Sequence, residues 1–352
     1  MDTIRNFLVK PNITIKQALK KMDESGRKII FVTDVNDIIL GVVTDGDIRR
    51  WILKNNPLTA EISKIMNKNP LVITEYDTHD KAKKIMLDKE IECIPVINDK
   101  RKIITAIWWI DLFNKNPIKK KQFNLPVVIM AGGEGTRLYP FTKILPKPLV
   151  PIGDKPILEI IINRFYEYGC TNFNLSVNYK SNIIKAYFSD FKHNYKINYI
   201  HEKKPLGTAG SLHILQNRIR KTFFVSNCDI LIDADYADIL KFHKQSKNKI
   251  TLVTSMKHFT IPYGICEIGD GGALKNINEK PEQDLLVNTG LYVLEPEVLN
   301  NIPKNTFFQI TDLISFYLKS NKKIGVYPVS EKSWIDIGQI EELQNAIKLF
   351  GV

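Results

Sequence analysis

The chain holds 352 residues, 44% hydrophobic and 25% charged, a length for two or three domains with sizeable cores and a composition ordinary for a soluble globular protein. No apolar run approaches the ~20 residues of a membrane span, and MDTIRNFLVKPNITI carries no secretory apolar segment, so no membrane partner is expected and the location is read as cytoplasmic. The net charge of +12 is spread over lysines throughout the sequence; its one dense run, Lys119-Lys120-Lys121, reads as a solvated linker, and no nucleic-acid partner is expected.

Residues 1–57 and 58–115 repeat one plan. ITIKQALKKMDESGRKIIFVTD is echoed by DTHDKAKKIMLDKEIECIPVIND, each an amphipathic helix followed by an apolar strand and an acidic turn. GVVTDGDIRRWI is then echoed by TAIWWIDLFNK, so each half reads helix, strand, turn, strand, helix. The tandem resembles a CBS-domain pair, an α+β module. That resemblance implies an adenine nucleotide in the cleft between the halves, with Thr44 on phosphate and Asp47 on the ribose hydroxyls, and it implies a homo-oligomer. Gly41, Thr44 and Asp47 fit the pattern; in the second repeat Asp111 is kept, but Thr105 and Trp108 replace the glycine and the threonine. A packing platform in which Asp47 only caps the following helix is the competing expectation.

A linker over 116–124 leads into a second region, 125–352. It opens with Val127 to Met130, a run of buried-strand length. Gly132, Gly133 and Gly135 follow and let the backbone turn sharply and press its N–H groups on a ligand, which suits phosphates. A P-loop would need Gly-Lys-Ser/Thr where Gly135-Thr136-Arg137 stands, and a dinucleotide fingerprint would need glycine in place of Leu138. Two cations remain, Arg137 on the loop and Lys147 stiffened between Pro146 and Pro148. Preorganised Arg and Lys suit the charge that builds on a leaving pyrophosphate.

AGGEGTRLYPFTKILPKPLVPI closely resembles the signature of the sugar-1-phosphate nucleotidylyltransferases. The resemblance puts Arg137 and Lys147 at the activating positions, and Met130, Ala131, Gly132, Gly133, Gly135 and Thr136 along the nucleotide. Beyond it, KPILEIIINRFYEYG reads as a helix with Pro156 in its first turn and Gly169 as its stop. NFNLSVNY, KINYIHE, TFFVSN and KITLVTS read as strands, separated by the helices SNIIKAYFSDF, TAGSLHILQNRI and DYADILKFHKQ. The expected fold class is α/β, a Rossmann-like (GT-A-like) nucleotidyltransferase mixed sheet flanked by helices, with ligands gathered beyond the carboxyl ends of the strands.

PLGTAGSL is a second glycine loop opening a helix, with bare backbone for a purine edge or phosphate; alone it is a turn with Thr208 as N-cap. It resembles the base-recognition loop in its guanylyltransferase form, which implies Gly207, Thr208 and Ala209 at the base. The same family implies Mg²⁺ on Asp229 of FFVSNCDI, where Cys228 replaces the usual glycine, and on Asp336 of SWIDIG. It implies Glu279 and Lys280 of INEKPE at the sugar hydroxyls and reacting phosphate, and Asn288 and Thr289 of LVNTGLYV along the sugar pocket. Cys93, Cys170, Cys228 and Cys266 form no Cys-x-x-Cys pair and read as reduced core residues; the six histidines show no metal-ligand spacing and read mostly as surface.

The expected activity is transfer of a nucleotidyl group from an NTP, GTP by the Leu-Gly-Thr-Ala-Gly form, to a sugar-1-phosphate. The CBS pair on a short transferase resembles the glucosamine-1-phosphate guanylyltransferases that lead to legionaminic acid and flagellin glycosylation. Mannose-1-phosphate and heptose-1-phosphate are the alternative sugars, and a non-catalytic adenine-nucleotide sensor is the alternative of another class.

Overall fold

In a computed structural model the described residues are 4–112, 120–190, 192–338 and 342–344. Lys119, the first part of the expected linker and the last residues of the second expected repeat lie outside them. The chain divides into two compact units, Met1–Lys121 and Gln122–Val352.

The N-terminal unit runs β1 (Leu8–Val9), α1 (Ile15–Ser25), β2 (Ile29–Thr33), β3 (Ile39–Thr44) and α2 (Asp45–Leu53). It then repeats as β4 (Ile73–Thr74), α3 (His79–Lys89), β5 (Cys93–Ile97), β6 (Ile103–Trp108) and α4 (Trp109–Leu112). Each half builds a three-stranded sheet, β1-β2-β3 or β4-β5-β6, from one parallel pair and one antiparallel hairpin. Helix α1 starts on a Thr14–Gln17 capping box and ends at left-handed Gly26. Its buried residues Ile15, Ala18, Leu19 and Met22 recur at helical spacing. The two sheets share a core of Phe7, Phe31, Ile39, Val42, Cys93, Ile97 and Ile103.

In the second unit the order is β7 (Val127–Ala131), α5 (Phe141–Ile144), β8 (Pro151–Ile152), β9 (Lys155–Pro156), α6 (Ile157–Tyr166), β10 (Asn172–Val177), α7 (Ser181–Ser189), β11 (Lys196–His201), α8 (Gly207–Gly210) and β12 (Phe223–Asn227). It continues with β13 (Ile230–Ile232), α9 (Tyr236–Gln245), β14 (Ile250–Thr260), β15 (Ile265–Ile268), β16 (Leu274–Asn278), β17 (Glu282–Leu294), α10 (Ile310–Lys319), β18 (Ile324–Val329) and β19 (Trp334–Asp336). One seven-stranded sheet has the order β11-β10-β7-β12-β17-β14-β18. Strand β17 is antiparallel to both neighbours, while β11, β10, β7 and β12 are mutually parallel. The architecture is a mixed α/β sheet flanked by helices.

Both faces of this sheet are covered, which is why its strands read as continuous apolar runs. Val127 and Ile129 pack into one core with Leu158, Ile161, Ile162 and Phe165 of α6. Val128 faces the opposite core with Leu212, Val298 and Leu313. Because β11, β10, β7 and β12 run the same way, their carboxyl ends share one edge, where sheets of this kind gather ligands.

Several local expectations are corrected. Pro156 is the N-cap of α6 rather than a residue of its first turn. The span 208–219 is not one helix: α8 is a single turn, continued by a 3-10 segment, Ser211–Leu215. The cause is packing, since Gly207 and Gly210 are pressed against 306–308 and the chain has no room to continue as a regular helix. Cys266 is exposed on β15 instead of lying in the core; of the histidines, read mostly as surface, His243 is fully buried.

Candidate active site

The glycine loop leaves β7 at the shared edge. Ala131 is buried in the core and Met130 packs partly against the opposite one, so these two residues can offer a ligand mainly backbone. Gly133 is exposed with nothing within 4 Å of where a Cβ would stand. Gly135 holds φ +70°, and a Cβ there would lie 2.9 Å from Lys147 Cβ and 3.0 Å from Thr142 Cγ2, so a side chain is excluded by conformation and by space. The buried Thr142 hydroxyl donates to the Gly135 carbonyl at 2.8 Å. Thr136 and Arg137 then follow, exposed, in a 3-10 turn.

Lys147 enters from the Pro146–Pro148 segment and donates to Asp229 Oδ2. Both side chains of this ion pair are only 12% exposed, whereas Arg137, 60% exposed, stands 3.9 Å from the same oxygen. Asp229 follows β12 by two residues, and Asp336 closes β19. Pairing of β13 with β19 sets Ile230 opposite Asp336, and Ile337 N–H donates to the Asp229 carbonyl at 2.8 Å. A Cβ on Gly338 would meet Asp336 Oδ1 at 2.8 Å, Arg137 Nη2 at 2.9 Å and Asp229 Oδ2 at 3.1 Å. Two carboxylates and a guanidinium therefore converge on one point, with Lys147 behind them.

Among the described residues no three His, Cys, Asp or Glu side chains cluster as a metal cage. The two converging carboxylates match instead the donor set of Mg²⁺ in phosphoryl-transfer sites, one or two carboxylates completed by substrate oxygens and water. Cys228, in the position the family gives to glycine, is packed in the core, and burial pushes its thiol up to about 12.

The second glycine loop is spent on the protein. Ala209 and Gly210 N–H groups both donate to the Phe308 carbonyl at 3.0 Å, and Phe308 N–H donates to the Leu206 carbonyl at 2.9 Å. The Thr208 hydroxyl donates to Gln309 at 2.8 Å and accepts from Ile310 N–H at 2.9 Å. Thr208 is thus not the N-cap of its own turn, a position held by Leu206, but supports the start of α10. Where bare backbone for a purine edge or phosphate was expected, the N–H groups of 209 and 210 are bonded within the protein.

One buried carboxylate was passed over in the sequence. Glu202, 9% exposed, directly follows β11, its Oε1 accepting from the Ser176 hydroxyl at 2.6 Å and its Oε2 from Leu206 N–H at 3.0 Å. The same Oε1 lies 3.0 Å from where a Cβ on Gly132 would stand. A carboxylate thus bonds the start of the second glycine loop and stands beside the first. The available signal was a carboxylate at a strand's carboxyl end three residues before Pro205.

The remaining candidates are not joined to the Arg137–Asp229 group by any hydrogen bond or ion pair among the described residues. Glu279 and Lys280 are exposed between β16 and β17, Lys280 with a left-handed backbone. Asn288 is exposed and donates to the Tyr292 hydroxyl at 2.6 Å. Thr289 is buried in a bulge of β17, its hydroxyl donating to the Val253 carbonyl at 2.7 Å, so it serves the sheet.

In the N-terminal unit Thr44 is the N-cap of α2 and Asp47 completes its capping box. Asp47 Oδ2 accepts from the Thr44 N–H at 2.8 Å and hydroxyl at 2.7 Å, and Oδ1 accepts from Arg50 at 2.5 Å. Trp108 packs against Phe7 with ring centroids 5.1 Å apart and planes tilted by 54°, and the Arg27 guanidinium lies 4.5 Å from the centre of its ring.

A family model described as nucleotidyl transferase matches residues 126–350, and one described as CBS domain matches residues 3–54 and 62–106. Mannose-1-phosphate guanyltransferase of Saccharomyces cerevisiae is 30% identical over 242 residues, covering 63% of this chain and 64% of the relative. UTP–glucose-1-phosphate uridylyltransferase of Synechocystis is 31% identical over 245 residues, covering 64% and 63%. The chain thus spans a little under two thirds of the length of these relatives. The crystal structure of HddC from Yersinia pseudotuberculosis aligns with TM-score 0.52 at 28% identity, covering 64% of this chain and 100% of that one; the same protein complexed with GMP-PN gives 0.50 at 27%.

Proposed function

We propose that this chain, which belongs to the nucleotidyl transferase family and carries a CBS-domain pair ahead of its matching residues 126–350, joins an NTP to a sugar-1-phosphate and releases pyrophosphate. The observation that carries the proposal is the convergence of Arg137, Asp229 and Asp336 on one point with Lys147 against Asp229.

An oxygen of the sugar phosphate attacks the α-phosphorus in line, the bond from that phosphorus to the bridging oxygen breaks, and pyrophosphate leaves with the electron pair. The nucleophile is already anionic at neutral pH, so no general base is needed. Catalysis rests on positioning and charge stabilisation. Arg137, exposed and anchored by its turn, meets the triphosphate, and Lys147 turns from Asp229 toward the same charge. Asp229 and Asp336 would hold Mg²⁺, which would supply neutralisation of phosphate oxygens. Lys280 on its exposed loop is assigned to the sugar phosphate; Glu279 and Asn288 are assigned to the sugar.

The relatives do not fix the base, since one named for guanyl transfer and one named for UTP match almost equally well. Glu202 supports guanine. A buried carboxylate only accepts hydrogen bonds, and its unused lone pairs beside Gly132 suit a base edge carrying adjacent N–H donors. Guanine offers two such donors and uracil one. For the sugar we assign glucosamine-1-phosphate, feeding a GDP-sugar for legionaminic acid and flagellin glycosylation, on the strength of the CBS pair joined to this transferase.

Pyrophosphate release over a panel of GTP, ATP, UTP and CTP with glucosamine-, mannose- and heptose-1-phosphate tests each part. GTP with glucosamine-1-phosphate is expected to turn over fastest. Nucleotide binding without release from any pair would instead favour a non-catalytic sensor. An adenine nucleotide at the CBS pair would take Asp47 in competition with Thr44 and Arg50; a melting temperature unmoved by AMP or ATP removes that part.

A further inference from the structure

Arg137 and Lys147 are separated in sequence by α5 and Pro146, so the geometry of that short bridge sets the distance between the two cations. A four-residue helix is marginal by itself. Its two ends are tied to the flanking residues, Lys143 N–H donating to the Pro140 carbonyl and Leu145 N–H to the Phe141 carbonyl, both at 3.0 Å. The next three carbonyls, of Thr142, Lys143 and Ile144, are the orphans left at any helix carboxyl end.

Lys180 fills that place. It lies in the turn after β10, at the same sheet edge as the glycine loop, with a left-handed backbone at φ +51°. Its ammonium donates to the carbonyls of Lys143 at 2.5 Å, Ile144 at 2.9 Å and Thr142 at 3.4 Å. One point charge with three rotatable donors meets three converging acceptors, a task for which a planar guanidinium is ill shaped. A cation at a helix carboxyl end also complements its dipole. From the other side, the Thr142 hydroxyl bonds the Gly135 carbonyl, and Gly135 abuts Lys147. The bridge is therefore held between the end of β10 and the glycine loop.

We propose that Lys180 is a positioning residue: by clamping the last three carbonyls of α5 to the end of β10, it fixes Lys147 relative to Arg137 for the triphosphate. The proposal rests on the nucleotidyl-transfer reading only for its kinetic consequence. The clamp itself can be measured without turnover.

The test compares wild type with Lys180→Met, which keeps the stem and removes charge and donors, and with Lys180→Arg. Hydrogen–deuterium exchange over 141–150 is expected to quicken in K180M, with exchange in the core strands β7 and β12 unchanged. With GTP and the best sugar phosphate, kcat is expected to fall between about ten- and a hundredfold, as for a catalytic group displaced by a fraction of an ångström to an ångström. KM for the sugar phosphate is expected to stay within about twofold. K180R restores the charge with the wrong shape and is expected to fall between the two; it carries the test if K180M does not fold. Unaltered exchange over 141–150 in the folded variants overturns the clamp, and a K180M enzyme with wild-type kcat overturns its positioning role. If wild type releases no pyrophosphate from any substrate pair, the transfer reading fails, and the exchange comparison still decides the clamp.

Discussion

The two glycine loops look alike in sequence and do opposite work. In the first, Gly133 is open, Arg137 is largely exposed, and the residues after β7 face the converging carboxylates. In the second, Gly207 and Gly210 admit no Cβ because the Phe308 and Thr306 carbonyls stand 2.7 and 2.6 Å away from its place, and the N–H groups of 209 and 210 are consumed. Glycine permits close approach by any partner, a phosphate or another stretch of the same chain. What separates the loops is the chemistry around them. The first is flanked by cations and acids gathered at the sheet's edge, and the second by the carbonyls of the irregular segment 306–308, which accept its N–H groups or abut its glycines.

The hardest strike at this contrast removes the cation that belongs to the first loop. Lys147→Ala is expected to lower pyrophosphate release by about 10²–10³-fold, the scale of losing one preorganised donor to transition-state charge, with the circular dichroism of the folded protein retained. Near-normal turnover would mean that the first loop is as structural as the second.

Exchanging glycine for alanine sharpens the comparison at lower cost. Gly210→Ala forces a methyl against a backbone oxygen at 2.6 Å, and Gly210 is helical, so the loss is steric and not conformational. A destabilisation of about 1–3 kcal/mol is expected, seen as a lower urea midpoint. Gly133→Ala meets nothing within 4 Å and should leave stability within about 0.5 kcal/mol, while raising the KM for nucleotide because the methyl projects into the open loop. If the two variants exchange these phenotypes, the assignment of ligand and scaffold roles is reversed.

Much of this organisation could be read in the sequence because period and punctuation agree with the fold. The runs expected at 127–130 and 172–179 form β7 and, as far as Val177, β10, and Ile161, Ile162 and Phe165 do share one face of α6. The first loop was legible because its prolines, glycines and cations are rare choices that act locally. What escaped depended on distant segments. Residues 208–219 carry helix-like apolar spacing, but contact with 306–310 overrides it. Thr208 and Thr289 have the chemistry of ligand residues, yet their hydroxyls bond to Ile310 and Val253, and only tertiary structure reveals that. Glu202 went unseen because a carboxylate at a strand's end before a proline is a weak signal by itself; what singles it out is Ser176, Leu206 and Gly132 meeting around it.

The smallest effect separates loss of the site from loss of its scaffold as pH falls. His243 is fully buried, with Nδ1 2.8 Å from the Thr251 hydroxyl and Nε2 3.1 Å from Glu295 Oε1. Burial lowers its pKa from the ordinary 6.5, against the opposing pull of Glu295 and with help from nearby Lys244 and Lys249. The unfolded chain then binds a proton more readily than the folded one at pH values between the lowered pKa and 6.5. Folding stability is therefore full above that ordinary value and declines as pH drops below it. At pH 6 the loss from this one group is expected to stay under about 1 kcal/mol. Urea midpoints at pH 7.5 and 6.0 should differ less in His243→Gln than in wild type, whatever the variant's absolute stability. Equal pH slopes in the two proteins would show that the imidazole is not the group responsible.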